Sequence, residues 1–235
     1  MQEAGLPRLL VKSRNDTTLD FIKNLAKLEI KIMALICGID EAGRGSLCGS
    51  LFVAGVVGEE QMMSELKDLG VKDSKKLSKQ KRFAIESLLK SRDDMWYFVV
   101  RQEAKDIDSK GLSRCLKESI EKIIGYFEAR CGVFYIDGNT CFHLHSNHQR
   151  TIQSIIKGDD KVAHISCASI FAKCAKDREM QELDKLYPQY DLNNNAGYGT
   201  KSHIDAISKY GLSPLHRKSF VIKQQASSQE PPRLF

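Results

Sequence analysis

Apolar residues follow two rhythms along this chain. Residues 34–40, 50–57, 95–103, 132–137 and 152–157 are short runs rich in Val, Ile, Phe and Tyr, the pattern of strands buried in a sheet. Between them the spacing lengthens to three and four. Leu116, Ile120, Ile123, Ile124 and Phe127 mark a helix over 112–131, and a second helix over 165–186 stops before Pro188. A helical pair precedes Lys90. A short helix over 200–210 is closed by Gly211, after an Asn- and Gly-rich loop over 189–199. Strands interleaved with helices predict an α/β fold, a mixed five-stranded sheet covered by helices on both faces.

The same pattern divides the chain. Residues 1–32 read as an N-terminal extension with helical spacing at Leu19, Ile22, Leu25 and Leu28 and an N-cap at Asp16. Residues 33–223 form the main domain, its last part (about 187–223) helical. Residues 224–235 are polar with two prolines and predict a flexible tail.

Two of the strand runs end in acid: Ile39 runs into Asp40 and Glu41, and Ile136 into Asp137. A carboxylate at the end of a buried strand is costly without a positive partner. If these strands are parallel neighbours, about 4.8 Å apart, Asp40 and Asp137 meet at their C-terminal ends. Two carboxylates about 4 Å apart repel by about 4 kcal/mol at an effective dielectric near 20. Such a cluster holds protons or cations. Oxygen ligands without His or Cys suit Mg²⁺ or Mn²⁺. The strand predicted over 152–157 also runs toward acids, Asp159 and Asp160.

Composition narrows the class. Hydrophobic residues make up 42% and charged residues 28%, an ordinary globular balance. No apolar stretch approaches the roughly 20 residues that cross a bilayer, and the first residues carry no basic and apolar leader. The seven cysteines are scattered and form no Cys-x-x-Cys pair, which predicts reduced thiols and a cytoplasmic protein. The net charge is +6, and residues 67–82 hold seven bases against two acids. That run is either a solvated helix face or a patch for a polyanion such as nucleic acid.

Further motifs add chemistry. Gly43-Arg44-Gly45 follows the first acids. Its glycines lack the Gly-x-Gly-x-x-Gly spacing of a dinucleotide loop, and two acids ahead of it repel a pyrophosphate. They instead let backbone approach a ligand closely, with Arg44 facing it. Lys72, Ser74 and Lys75 suit phosphate contacts. Ser166, Ser169 and Lys173 share one helix face. Tyr198 stands between Gly197 and Gly199. Cys141, His143, His145 and His148 read as loop residues, because a single short loop seldom supplies a whole zinc site. Trp96 and Phe127 read as core, Asp177 as an ion-pair partner, and Lys79, Lys81 and Arg82 as charged surface.

In this order, Asp40-Glu41-Ala42-Gly43-Arg44-Gly45, Lys72-Asp73-Ser74-Lys75, Gly197-Tyr198-Gly199-Thr200 and the closing segment 210–220 resemble the type 2 ribonuclease H family, in its bacterial ribonuclease HII branch. The resemblance spans about residues 33–223. It implies an RNase H-like fold with a small helical C-terminal part. It also implies an endonuclease that cuts the RNA strand of RNA–DNA duplexes and incises 5′ to single ribonucleotides in duplex DNA, leaving 5′-phosphate and 3′-hydroxyl ends. The family's four catalytic, metal-holding acids fall on Asp40, Glu41, Asp137 and Asp159, with two Mg²⁺ or Mn²⁺ ions per site. Asp160 is the reserve for Asp159. Gly43, Arg44 and Gly45 fall on the readers of the 2′-hydroxyl, and Tyr198 on the tyrosine beside the sugar. Lys72, Ser74, Lys75, Ser169 and Lys173 complete the expected substrate contacts. Ser46 and Ser50 replace common prolines and predict a looser turn. The expected protein is a monomer, with a sliding clamp as a further partner through the tail. The sister type 3 enzymes carry a larger N-terminal domain than residues 1–32 provide.

Overall fold

A computed structural model describes residues 35–59 and 77–220, with Lys23 besides. The extension helix, the first helix of the pair before Lys90, the expected phosphate contacts Lys72, Ser74 and Lys75, and the tail expected to meet a clamp lie outside the described residues, apart from a helical Lys23.

Five strands form one sheet: β1 (Leu35–Ala42), β2 (Leu51–Glu59), β3 (Trp96–Gln102), β4 (Val133–Asp137) and β5 (Thr151–Ile155), in the order β3-β2-β1-β4-β5. β2 lies antiparallel to β1 and β3, whereas β4 is parallel to β1 and β5. The sheet is therefore mixed, as the alternation of strands and helices predicts. From Leu35 on, the helices among the described residues are α1 (Lys79–Lys90), α2 (Ala104–Lys110), α3 (Leu112–Phe127), α4 (Gly158–Lys161), α5 (Ala163–Leu186), α6 (Leu192–Asn195) and α7 (Lys201–Tyr210).

Strand alternation sorts the core into two layers. Leu35, Cys37 and Ile39 of β1 point to one face and pack with Phe134, Ile136 and the α3 residues Leu116, Ile120, Ile123, Ile124 and Phe127. The other face meets α5, whose Ala168, Phe171 and Ala172 pack with Ala42, Ala54 and Val56. Gly38 permits this contact, because a Cβ there would sit 2.3 Å from the backbone of His164 and Ile165. A third cluster joins the end of α5 (Met180) to Tyr190, Leu192, Ile207 and the loop residues Leu47 and Cys48.

Several sequence expectations change. α2 was not anticipated: only Ala104 and Ile107 of it are buried, too few for a periodic signal, and its local mark is the Glu103–Asp106 capping box. The predicted loop over 189–199 contains a 3₁₀ turn (Pro188–Tyr190) and α6. Trp96 is 39% exposed, because β3 is an edge strand, and Arg130 lies over its ring. Arg82 is an internal tie, bonded to Asp177 at 2.6 Å, and Lys79 bonds Asn193. The serines of the turn after Gly45 are tied by side-chain bonds: the Ser46 hydroxyl donates to the Ala196 carbonyl. Ser50 gives both its amide (2.8 Å) and its hydroxyl (2.5 Å) to Glu179.

Candidate active site

The parallel pairing of β1 and β4 builds the site. Ile39 lies opposite Ile136, so one step on, Asp40 comes beside Asp137 at the strands' C-terminal ends. Both point to the α5 face. Asp40 is buried, with Lys173 Nζ 4.0 Å from its Oδ2, the Ser169 hydroxyl hydrogen-bonded to it and its Oδ1 accepting from the Glu41 amide at 2.7 Å. Burial pushes its carboxyl up to about 7, Lys173 opposes this, and Glu41 and Asp137 add to it by repulsion.

Glu41 is half-buried and 3.4 Å from Arg44. Burial raises its carboxyl also, Arg44 works against that, and Asp137 reinforces it. Asp137 Oδ1 accepts from the Gly158 amide at 2.7 Å, which ties β4 to the start of α4. Asp159, the next residue, is buried, whereas Asp160 is exposed. The Ser166 hydroxyl fixes that turn by donating to the Asp159 carbonyl at 2.6 Å.

Three acids thus interact at one sheet end, and the fourth lies one residue from an amide that Asp137 holds. Among the described residues no three His, Cys, Asp or Glu side chains close on one point. The carboxylates face Lys173, Arg44 and the Gly158 amide instead. The donors are all oxygen, and burial holds Asp40 short of full ionisation. Both properties fit a hard dication that would replace the proton.

Beside the acids, Gly43 has φ +86° and is buried, while Arg44 and Gly45 are exposed. A Cβ on Gly45 would lie 3.9 Å from the Tyr198 ring, so this loop and the 43% exposed tyrosine are neighbours. Ser169 is wholly buried and also bonded to Lys173, whose side chain is 21% exposed. The cysteine and histidines of the 141–148 loop join no metal-holding group among the described residues.

Sequence reasoning missed the groups under the loop. Arg217 is 2% exposed and Lys176 is 3% exposed, and both reach loop carbonyls. Locally nothing distinguishes Arg217 from its neighbour Lys218. The buried pair His203 and His216 was missed too. Their Nε2 atoms lie 3.1 Å apart, His203 Nδ1 meets the Tyr198 carbonyl at 2.9 Å, and the Ser213 hydroxyl meets His216 Nδ1 at 2.8 Å.

Burial holds both rings below the ordinary histidine value, His216 at about 4. At neutral pH the folded protein keeps His216 uncharged. This contribution to stability is complete above pH 6.5 and is lost as pH falls toward 4, amounting to about 2 kcal/mol by pH 5. In urea titrations at pH 7 and pH 5, His216→Gln is expected to show a smaller acid loss than the wild type. Equal losses in both proteins would rule the effect out.

Fold and site together define an RNase H-like α/β hydrolase with acids at the ends of two parallel strands. The model of the ribonuclease HII family matches residues 37–223. Ribonuclease HII of Helicobacter pylori (strain G27) is 49% identical over 191 residues, covering 81% of this chain and 93% of that protein. Ribonuclease H2 of Pyrococcus horikoshii OT3 superposes with a TM-score of 0.66 at 26% identity, over 79% of this chain and 93% of that one. The ribonuclease HII of an Archaeoglobus fulgidus complex with PCNA gives 0.65 at 24%, over 81% and 97%. Bst-RNase HIII in complex with Mn²⁺ gives 0.58 at 18%, over 78% of this chain and 65% of that one. The chain belongs to the ribonuclease HII family and is a type 2 ribonuclease H, a hydrolase.

Proposed function

We propose that this enzyme hydrolyses the RNA strand of RNA–DNA duplexes and incises 5′ to single ribonucleotides embedded in duplex DNA. Its place is ribonucleotide removal from DNA and removal of RNA primers. The observation that carries this reading is the adjacency of two unlike features. Buried Asp40 and half-buried Glu41 and Asp137 come together at the ends of β1 and β4, and in the glycine loop beside them a Cβ on Gly45 would lie 3.9 Å from the exposed Tyr198 ring.

Asp40, Glu41, Asp137 and Asp159 are the residues that would hold two Mg²⁺ or Mn²⁺ ions. Mn²⁺ accompanies the HIII enzyme of the same fold. Bound there, the ions would supply an activated water and charge stabilisation for an in-line displacement at phosphorus. The chain's own groups do the rest. Asp40 would hold a metal as its carboxylate, which Lys173 and Ser169 keep in place. Gly43, Arg44 and Gly45 read the 2′-hydroxyl, which backbone groups can do only at the close range that the two glycines allow. Tyr198 stacks against the sugar next to it. Ser169, being buried, acts on substrate through Asp40 and Lys173. Lys72, Ser74 and Lys75 contact phosphates further along the duplex.

Among the described residues no helix is long and apolar enough to cross a membrane. The expected form remains a cytoplasmic monomer, with a sliding clamp as a further partner through the tail; the A. fulgidus enzyme forms a complex with PCNA.

A duplex DNA carrying one ribonucleotide, incubated with the purified protein and Mn²⁺, tests the reading. Mapping the product ends is expected to show a nick 5′ to the ribonucleotide, with 3′-hydroxyl and 5′-phosphate termini. An intact duplex, or cyclic phosphate ends, would reject it.

A further inference from the structure

The carbonyls of the loop that carries Gly43-Arg44-Gly45 face the protein interior, where two buried cations meet them. Arg217 donates from Nη1 to the Arg44 carbonyl at 3.2 Å and from Nε to the Gly49 carbonyl at 3.0 Å. Its own amide donates to the Leu47 carbonyl at 2.8 Å. Lys176 Nζ takes the Cys48 carbonyl at 3.0 Å and the Ser50 carbonyl at 3.1 Å. Five carbonyls between residues 44 and 50 are held from inside in this way. The amides of Arg44 and Gly45 donate to no backbone carbonyl among the described residues. In a trans peptide the N–H points away from the preceding carbonyl, so holding the Arg44 carbonyl inward turns the Gly45 amide outward.

The same brace reaches the tyrosine. The Leu47 and Cys48 amides both donate to the Gly197 carbonyl, at 2.7 and 3.2 Å. Gly49 donates to the Leu215 carbonyl at 2.9 Å, and Cys48 forms a β-bridge with His216. The segment around Arg217 therefore fastens the glycine loop and the Tyr198 arm to each other. A guanidinium is suited to this task. It is planar and always charged, and its fixed fork meets the Arg44 and Gly49 carbonyls from two different nitrogens at set angles, where a flexible ammonium would meet them from a single atom. The Phe220 ring lies 5.1 Å beneath the guanidinium carbon.

We propose that Arg217 is a positioning residue for substrate recognition: without touching substrate, it sets the glycine loop and Tyr198 as one rigid reading surface. This rests on the reading of that loop given above as the ribonucleotide reader.

Steady-state cleavage of the one-ribonucleotide duplex by the full chain tests it, with Arg217→Ala and Arg217→Lys beside the wild type. Arg217→Ala is expected to raise KM about tenfold, with kcat within about threefold and the Mn²⁺ concentration for half-maximal rate unchanged. Arg217→Lys, which keeps the charge but loses the rigid two-nitrogen fork, is expected to lie between. General loss of packing lowers the melting temperature without this split. A KM within twofold of wild type in a folded Arg217→Ala protein overturns the proposal, and so does a loss confined to kcat. If Arg217→Ala does not fold, Arg217→Lys decides: a raised KM sustains the proposal and a wild-type KM ends it. Failure of the wild type itself to nick the duplex rejects the ribonucleotide reading, a result separate from a normal wild type with unaffected variants.

Discussion

Asp40→Asn is expected to abolish cleavage of the one-ribonucleotide duplex and, at the same time, to stabilise the metal-free protein. Loss of one ligand from a site that contributes several kcal/mol to the transition state lowers kcat/KM by about 10³-fold or more. The stability effect follows from burial. The Asp40 carboxyl is raised from 3.8 to about 7, chiefly because the fold removes it from water. A raised carboxyl favours folding least when ionised. The cost is absent below about pH 4, grows as pH rises and is complete above pH 7. Asparagine cannot ionise and escapes it, although Lys173 then loses a partner. The net gain in EDTA at pH 8 is about 2 kcal/mol, or about 5 °C in melting temperature, and it vanishes near pH 4. Calorimetry at the two pH values measures it. A variant no more stable than wild type at pH 8 would show that Asp40 is not strained by its charge.

Gly38→Ala is expected to cost about 3 kcal/mol and most of the activity. The added methyl would lie 2.3 Å from backbone atoms of His164 and Ile165, with the His164 Cβ at 2.6 Å. Backbone of a 24-residue helix cannot give way locally, so α5 must shift as a body. That helix carries Ser169 and Lys173, the two groups that hold Asp40. Loss of stability measured by urea unfolding should therefore be accompanied by a fall in kcat that folded Gly125→Ala does not share, since a Cβ at Gly125 meets nothing within 4 Å. Wild-type stability in Gly38→Ala would mean that α5 does not rest on β1 as closely as described.

The five strands, α3, α5 and α7 were legible because each carries a periodicity that burial demands. α2 and α6 were not, since short polar helices leave almost no apolar rhythm. Asp40 and Asp137 were legible for a related reason: charge directly after a buried run is unusual enough to mark itself. Asp159 and Asp160 looked alike in sequence, and their exposure separates them, one buried and one in solvent. Arg82 and Lys79 belonged to a basic run that reads as surface, yet their partners Asp177 and Asn193 lie on α5 and α6, far along the chain.

By itself, the sequence determined the class of fold, the acids at the strand ends and the glycine loop beside them, because local pattern and strand chemistry are properties of contiguous residues. Only the tertiary structure decided which cations brace that loop. Arg217 and Lys176 acquire their role from carbonyls more than a hundred residues away, and no local pattern records which distant oxygens a buried charge will meet.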